Sequence, residues 1–343
     1  MRVRSFLSFA ILAAGMAGCS AAPVASGERE ASRLLPSTGE PLLDSALRAP
    51  SIPDTGSGFS TAENDPAKAV PLLFVSDVGA RAVDIFDLNG VETGRITGFA
   101  LPGAMAVDSA RNLYVIDRAK KEVLIFKAGY NGAPTVLTDP DGDPLDVAVS
   151  LTGVVAVTNP AVGPSNIDMY AKGSAVPCKT LHSSPRFAPE YVAFDRAGVL
   201  FFSAGGNPTG AIGEAVGGCD AKSLTIDRVG SNFSYDRGLV VDDKGFISTI
   251  DGLYPAIDTY GPLVDGKLPF VRRIPLFAPG GDEARLFDLA LTPSDSDLWT
   301  LTPYNAGSPI SAAALEFRYP RGGAVVTGIY NVFQSPAAIA TTP

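Results

Sequence analysis

Histidine is almost missing from this sequence: His182 is the single one in 343 residues. A zinc site built from several histidines is therefore excluded on ligand count. Any Ser-His-Asp triad would have to use His182, which follows Cys178-Lys179-Thr180-Leu181 near the expected end of an outer strand, and no G-x-S-x-G elbow accompanies it. His182 is expected to be a surface or edge residue. Charge is also scarce, at 18% of residues, with a net charge of -9 and no run rich in Lys or Arg. Such a chain lacks the electrostatic footprint of a nucleic-acid binder. The acidic balance serves solubility before it serves any cationic partner. Cysteine is limited to Cys19, Cys178 and Cys219. Apolar residues (46%), Gly (36) and Pro (28) are plentiful. That composition gives a sizeable core and favours many short strands joined by tight turns over helices.

The first residues have the three parts of an export signal. Arg2 and Arg4 form a short basic start, and Phe6 to Met16 is apolar but too short to span a bilayer as a mature helix. Met16-Ala17-Gly18-Cys19 follows and resembles the bacterial lipobox, with Met16 where Leu is usual. The resemblance implies cleavage after residue 18, lipid on Cys19 and an extracytoplasmic protein held on a bacterial membrane. Ser20 after the cysteine implies the outer membrane if the source is Gram-negative. Residues 19–70 are rich in Ala, Ser, Pro and Gly without a sustained apolar period, which predicts a flexible tether.

From residue 71 one phrase repeats. Residues 101–126 read as a strand ending at Asp108, a turn, a strand Leu113 to Ile116, a polar turn and a strand Val123 to Phe126; Thr135 to Leu137 follows. The phrase returns at Pro144, Pro189, Arg237 and Leu286. Asp108, Ser150, Asp195, Asp242 and Thr292 hold one turn position, at a spacing of roughly 42–50 residues. Four strands at that period predict propeller blades. The first copy begins mid-phrase at Leu72-Leu73-Phe74-Val75-Ser76-Asp77, with no inner strand before it. Ser335-Pro336-Ala337-Ala338-Ile339-Ala340-Thr341 matches the missing strand. The expected fold is all-β: a six-bladed β-propeller over residues 71–343, with four-stranded blades. The C-terminal strand completes the first blade, and inner strands fall near 104, 146, 191, 238, 287 and 337.

The phrase P-x-x-(apolar)-A-V-D…N-L-Y-V-x-D…V-x-x-F resembles the NHL repeat, and the six-fold array resembles NHL and gluconolactonase-like propellers across residues 71–343. Blades two to four match best. The resemblance implies a site at the mouth of the central channel. The loops entering the inner strands would supply Asp146, Glu190, Tyr191, Arg237, Arg285 and Asp288 as candidate ligand-binding residues. The loops after the second strands would supply Asp77, Asp117, Asn159, Asn207 and Asp251. Carboxylates with Asn side chains suit a hard cation, so Asp146, Glu190, Asp288 and Asn159 are candidate metal ligands, for calcium above all. The Glu that gluconolactonase-like enzymes place on the first inner strand is absent, since that segment reads Pro336-Ala337-Ala338. A rim of solvated charges and salt bridges is the competing reading. Asp77, Asp117 and Asn159 share one position and are expected to cap their own turns, and the later blades place Ala204 and Ile250 there. Asp139-Pro140-Asp141-Gly142-Asp143 has the look of a calcium loop. Its glycine is fourth rather than sixth, which favours an acidic turn between blades two and three.

Cys178 and Cys219 fall near outer strands of neighbouring blades. In an oxidising compartment the pair is expected to form a disulfide pinning blade three to blade four. Beside a purely structural envelope lipoprotein, two functions remain open. One is a non-catalytic, lipid-anchored binding platform for an envelope protein, peptide or glycan, with Tyr191, Tyr235, Tyr254 and Tyr304 available to a contact face. The other is a metal-dependent hydrolase of lactonase type at the channel mouth.

Overall fold

A computed structural model describes residues 70–139, 142–205, 210–230, 237–251, 254–278, 286–302 and 312–343. The expected signal segment (1–18), Cys19, the expected tether up to residue 69, and Asp141, Asn207, Tyr235, Arg285 and Tyr304 lie outside the described residues.

Among the described residues, twenty-five strands follow one another along the chain. Blade one holds β1 (Leu72–Asp77), β2 (Ala82–Asp87) and β3 (Glu92–Thr97). Blade two holds β4 (Pro102–Val107), β5 (Leu113–Asp117), β6 (Glu122–Phe126) and β7 (Thr135–Thr138). Blade three is β8 (Val147–Val149), β9 (Val155–Asn159), β10 (Asn166–Tyr170) and β11 (Lys179–His182). Blade four is β12 (Ala188–Phe194), β13 (Leu200–Gly205), β14 (Gly210–Ala215) and β15 (Thr225–Gly230). Blade five runs through β16 (Arg237–Val241), β17 (Ile247–Ile250), β18 (Ala256–Tyr260) and β19 (Phe270–Phe277). Blade six has β20 (Phe287–Leu291), β21 (Asp297–Thr302), β22 (Ala313–Arg318) and β24 (Thr327–Tyr330). The two-residue β23 (Gly323–Ala324) leaves blade six and pairs in parallel with the end of β19, giving blade five a fifth strand that the repeat does not predict. The last strand, β25 (Pro336–Thr341), returns to blade one and pairs antiparallel with β1, with Leu73 opposite Thr341 and Val75 opposite Ile339. The inner strands β25, β4, β8, β12, β16 and β20 touch in that order and close into a ring. The six-bladed propeller and its C-terminal closure are thus as the repeat predicts.

The sequence pattern explains this stacking. A blade in a closed ring is covered on both faces, so its middle strands read as near-continuous apolar runs. All five residues of Leu113–Asp117, Val155–Asn159, Asn166–Tyr170 and Ala256–Tyr260 are buried. Outer strands such as Glu92–Thr97 are largely exposed. Successive side chains point to opposite faces, so Leu73 and Val75 pack towards blade six while Phe74 packs towards blade two. The core is accordingly six apolar layers, one at each blade interface. The one tryptophan, Trp299, fills the layer between blades six and one.

Cys178, just before β11, is disulfide-bonded to Cys219, which sits in a short 3-10 turn at Gly218–Asp220 of blade four. The bond joins blades three and four. His182 ends β11 and is exposed.

Candidate functional site

The mouth is made by irregularities at the start of the inner strands. Register shifts fall between Pro102 and Met105, Pro189 and Tyr191, Arg237 and Leu239, and Phe287 and Leu289. In blade three, Leu145 and Asp146 both bond to Thr158 before the regular pairing of β8 begins. An extra residue of this kind bends the strand and re-aims a side chain, as bulges beside binding sites commonly do. Asp288 is the extra residue of blade six and has a positive φ of 59°.

These bulges bring Asp146, Tyr191, Arg237 and Asp288 to one cavity of about 270 Å³ at the channel mouth, together with Arg118 and Phe287. Four of the six residues expected there converge, and Arg285 lies outside the described residues. Glu190 is beside the cavity rather than on its wall, with its carboxylate lying over Gly205 at the end of β13. Arg118 was not among the sequence candidates. Its signal is its place directly after Asp117, in a loop that follows a second strand. Its aliphatic stem packs on Gly103, and its guanidinium meets Asp143 at 3.4 Å. The opposite end of the channel is a wider funnel of about 460 Å³, with apolar walls that include Val107, Val149, Phe194 and Leu291.

The two aspartates have structural partners. Asp146 Oδ2 accepts the N–H of Val192 at 2.8 Å, and Asp288 Oδ2 accepts the N–H of Ile339 at 2.7 Å. Each thereby satisfies a backbone donor on the channel edge of the next blade's inner strand. Burial drives the Asp146 carboxyl well above its ordinary range, and the charge of Asp288 adds to this. Burial lifts Asp288 to about 7. Glu190 is also raised by burial, with Arg237 pulling the other way. Tyr191 is raised by burial and then by Asp288, Glu190 and Asp146, so its hydroxyl stays protonated.

Three donors at the mouth have no acceptor. The Tyr191 hydroxyl and the Arg237 guanidinium make no hydrogen bond or ion pair among the described residues, and the Arg118 Nε is buried without a partner. Of these only the Arg118 Nε is buried, where an unmatched donor costs about 1–3 kcal/mol; Arg237 is exposed and Tyr191 half-buried.

The other candidates serve the blades. Asp77 accepts the N–H groups of Gln334 and Ser335 as well as that of Ala80, Asp117 those of Ala100 and Leu101, and Asn159 Oδ1 that of Asp143. The shared position therefore holds the loop entering the inner strand of its own blade, and only Asp77 also caps its own turn. In blade five the position falls on Asp251, not Ile250: its N–H bonds Ala256 and its carboxylate meets Arg273 at 2.6 Å. Asn159 does not reach the mouth cavity. Its Nδ2 lies 3.4 Å from Asp139, 3.1 Å from Asn166 and 3.2 Å from Asp168. Asp146, Glu190, Asp288 and Asn159 are thus not drawn to one point. No group of three or more His, Cys, Asp or Glu among the described residues is arranged to hold a metal. Tyr254 is exposed on blade five, away from the mouth.

No protein-family model matches this sequence, and no curated protein matches it. Solved structures do resemble the fold. The chain is similar to one in the crystal structure of the nidogen/laminin complex, at 12% identity and a TM-score of 0.63 over 80% of this chain and 98% of that one. A protein of unknown function from Bacteroides caccae aligns at 12% identity and a TM-score of 0.59, covering 80% and 99%. A streptogramin B lyase aligns at 14% identity and a TM-score of 0.54, covering 78% and 82%. At such identities the likeness establishes the propeller fold and leaves activity to the site itself.

Proposed function

We propose that this chain is a non-catalytic binding platform, lipid-anchored through Cys19 on the outer face of a bacterial membrane, that takes a group of an envelope protein, peptide or glycan into the channel mouth. The observation that carries this reading is a set of donors without a protein acceptor among the described residues, the Tyr191 hydroxyl, the Arg237 guanidinium and the Arg118 Nε, around one small cavity. A concave, mostly apolar and largely preformed pocket with a few convergent polar groups is the usual form of a ligand site. The cavity wall carries no histidine, cysteine or serine among the described residues, so it offers a receptor more readily than a nucleophile with its base. The fold likeness to a chain in the crystal structure of the nidogen/laminin complex supports the binding role by analogy.

Photo-crosslinking in the native envelope tests it, with the intact chain compared with Arg237→Glu and Tyr191→Ala. One partner captured by the wild type and lost in both variants supports the platform. Equal capture by all three chains overturns it. So does a stoichiometric metal with chelator-sensitive lactone hydrolysis. The mass of the mature N-terminal peptide checks the lipid on Cys19.

A further inference from the structure

We infer that the channel mouth is an oxyanion seat: it takes a carboxylate of the ligand on the Arg237 guanidinium and the Tyr191 hydroxyl, with Arg118 behind them. This rests on the mouth being the binding site and names the chemistry that it selects.

Hydrogen-bonding capacity decides the sign. Arg237 and Arg118 carry only donors, and the Tyr191 hydroxyl, kept protonated, has a proton to give. Among the described residues the Tyr191 hydroxyl and the Arg237 guanidinium have no protein acceptor, and Arg118, paired with Asp143 through one nitrogen, keeps its Nε unmatched. The carboxyl oxygens nearby are already engaged: Asp146 Oδ2 with the Val192 N–H, and Asp288 with the N–H groups of Ile339 and Leu289. Glu190 is turned onto Gly205. A ligand that brings acceptor oxygens completes the donors, whereas an ammonium or metal ion leaves them unmatched beside Arg237. A carboxylate also matches the planar fork of a guanidinium. The volume, about 270 Å³, limits the seated group to a small acid or the acidic end of a longer ligand.

Asp146 and Asp288 make the seat pH-sensitive. The groups facing Asp288 are Asp146, Tyr191 and the backbone donors of Ile339 and Leu289. Glu190 and Arg237 stand at the rim. While the two acids are neutral they do not repel an anion, and once Asp288 ionises it does. Anion binding is strongest on the acid side of neutrality and weakens as the pH rises through about 7.

Calorimetric titration of the full chain with sodium succinate, inorganic phosphate and n-butylammonium chloride at pH 6 and pH 8 tests the seat. Succinate is expected to bind, more tightly at pH 6. Tyr191→Phe and Arg237→Met are each expected to weaken it about fivefold or more, with the melting temperature of the free variants unchanged. Phosphate binding in place of succinate, with the same variant dependence, supports the seat and assigns it to phosphoesters. Binding of butylammonium alone, binding of neither anion, or succinate affinity unchanged in both variants overturns it. Partner capture that needs Arg237 in a chain blind to both anions sinks the seat and leaves the platform standing. Anion binding by a chain that captures no partner does the reverse.

Discussion

Asp146 and Asp288 stand three blades apart, on opposite sides of the ring, and make the same bond. Each accepts the N–H of the residue at one equivalent position in the next inner strand, Val192 for Asp146 and Ile339 for Asp288. The local sequences match as well: Leu145-Asp146-Val147-Ala148-Val149 against Phe287-Asp288-Leu289-Ala290-Leu291, followed by Pro189 and Pro336 at the starts of β12 and β25. The six blades therefore carry a second, three-blade period at the mouth.

Replacing either aspartate by alanine leaves a buried N–H without an acceptor. Asp146→Ala is expected to lose about 1–3 kcal/mol of stability, read from urea denaturation. Each replacement also removes the repulsion between the two carboxylates. At pH 8 the double variant should cost more than the sum of the singles, because that relief is counted twice in the sum. At pH 5, with Asp288 neutral, the costs should add.

The acids also set a pH dependence for the fold. Burial raises Asp288 to about 7, and burial with the Glu214 charge raises Asp227 to about 7, from an ordinary 3.8. Between those values the folded state holds protons that the unfolded chain has lost, so stability falls as the pH climbs from about 4 to 7. Asp87 is lowered by the Val91 N–H. Burial pushes Asp117 up, but the N–H groups of Ala100 and Leu101, with Lys120, outweigh it and hold it low. Their stabilisation is present above 3.8 and disappears as the pH falls further. The denaturation midpoint should be higher at pH 5 than at pH 8. Asp227→Asn and Asp288→Asn should each narrow that difference.

The Cys178–Cys219 bond closes a loop with a sequence separation of 41. Its removal by Cys178→Ser with Cys219→Ser is expected to cost about 3–4 kcal/mol, chiefly by freeing the unfolded chain. A guanidinium midpoint that does not move between the variant and the wild type would contradict this.

Gly238 lies against the strained turn of Asp288. Its φ is +68°, and a Cβ there would sit 2.9 Å from both the Asp288 Cα and the Leu289 nitrogen. Gly238→Ala should therefore lose more than about 1–2 kcal/mol from backbone strain alone, and it should disturb the mouth. Parallel loss of succinate binding in this variant, measured below its melting temperature, would show that the bulge positions the seat.

The blades are legible in the sequence because burial on both faces writes itself as whole apolar strands. Leu113–Asp117 and its counterparts can be recognised without alternation. The closing strand is legible because Pro336 to Thr341 repeats the inner-strand phrase that is missing before Leu72. The mouth is only partly legible. A bulge adds one residue, and a strand pattern with a period of two does not reveal which residue is extra. Hence Asp146 and Tyr191 could be expected at the cavity, while the turn of Glu190 onto Gly205 could not. The same limit placed Ile250 where Asp251 belongs. Asn159 is a plausible ligand by position, but β9 and β10 pair it opposite Asn166, within reach of Asp168. Side chains across a ladder are not visible along a single strand.

The pairing of β25 with β1 also has a meaning in time. Leu72 finds its partner Thr342 270 residues further along the chain. At about 5–20 residues per second, a ribosome takes roughly 15–55 s to supply it. The four repeat strands of each of blades two to six can assemble from contiguous sequence as they emerge. Blade one cannot, and for that interval β1 presents a bare apolar edge of the kind that recruits strands from other chains. Synthesis of this protein thus carries an obligatory waiting period, and whatever covers Leu72–Asp77 until Pro336–Thr341 arrives decides how much of the chain reaches the closed ring.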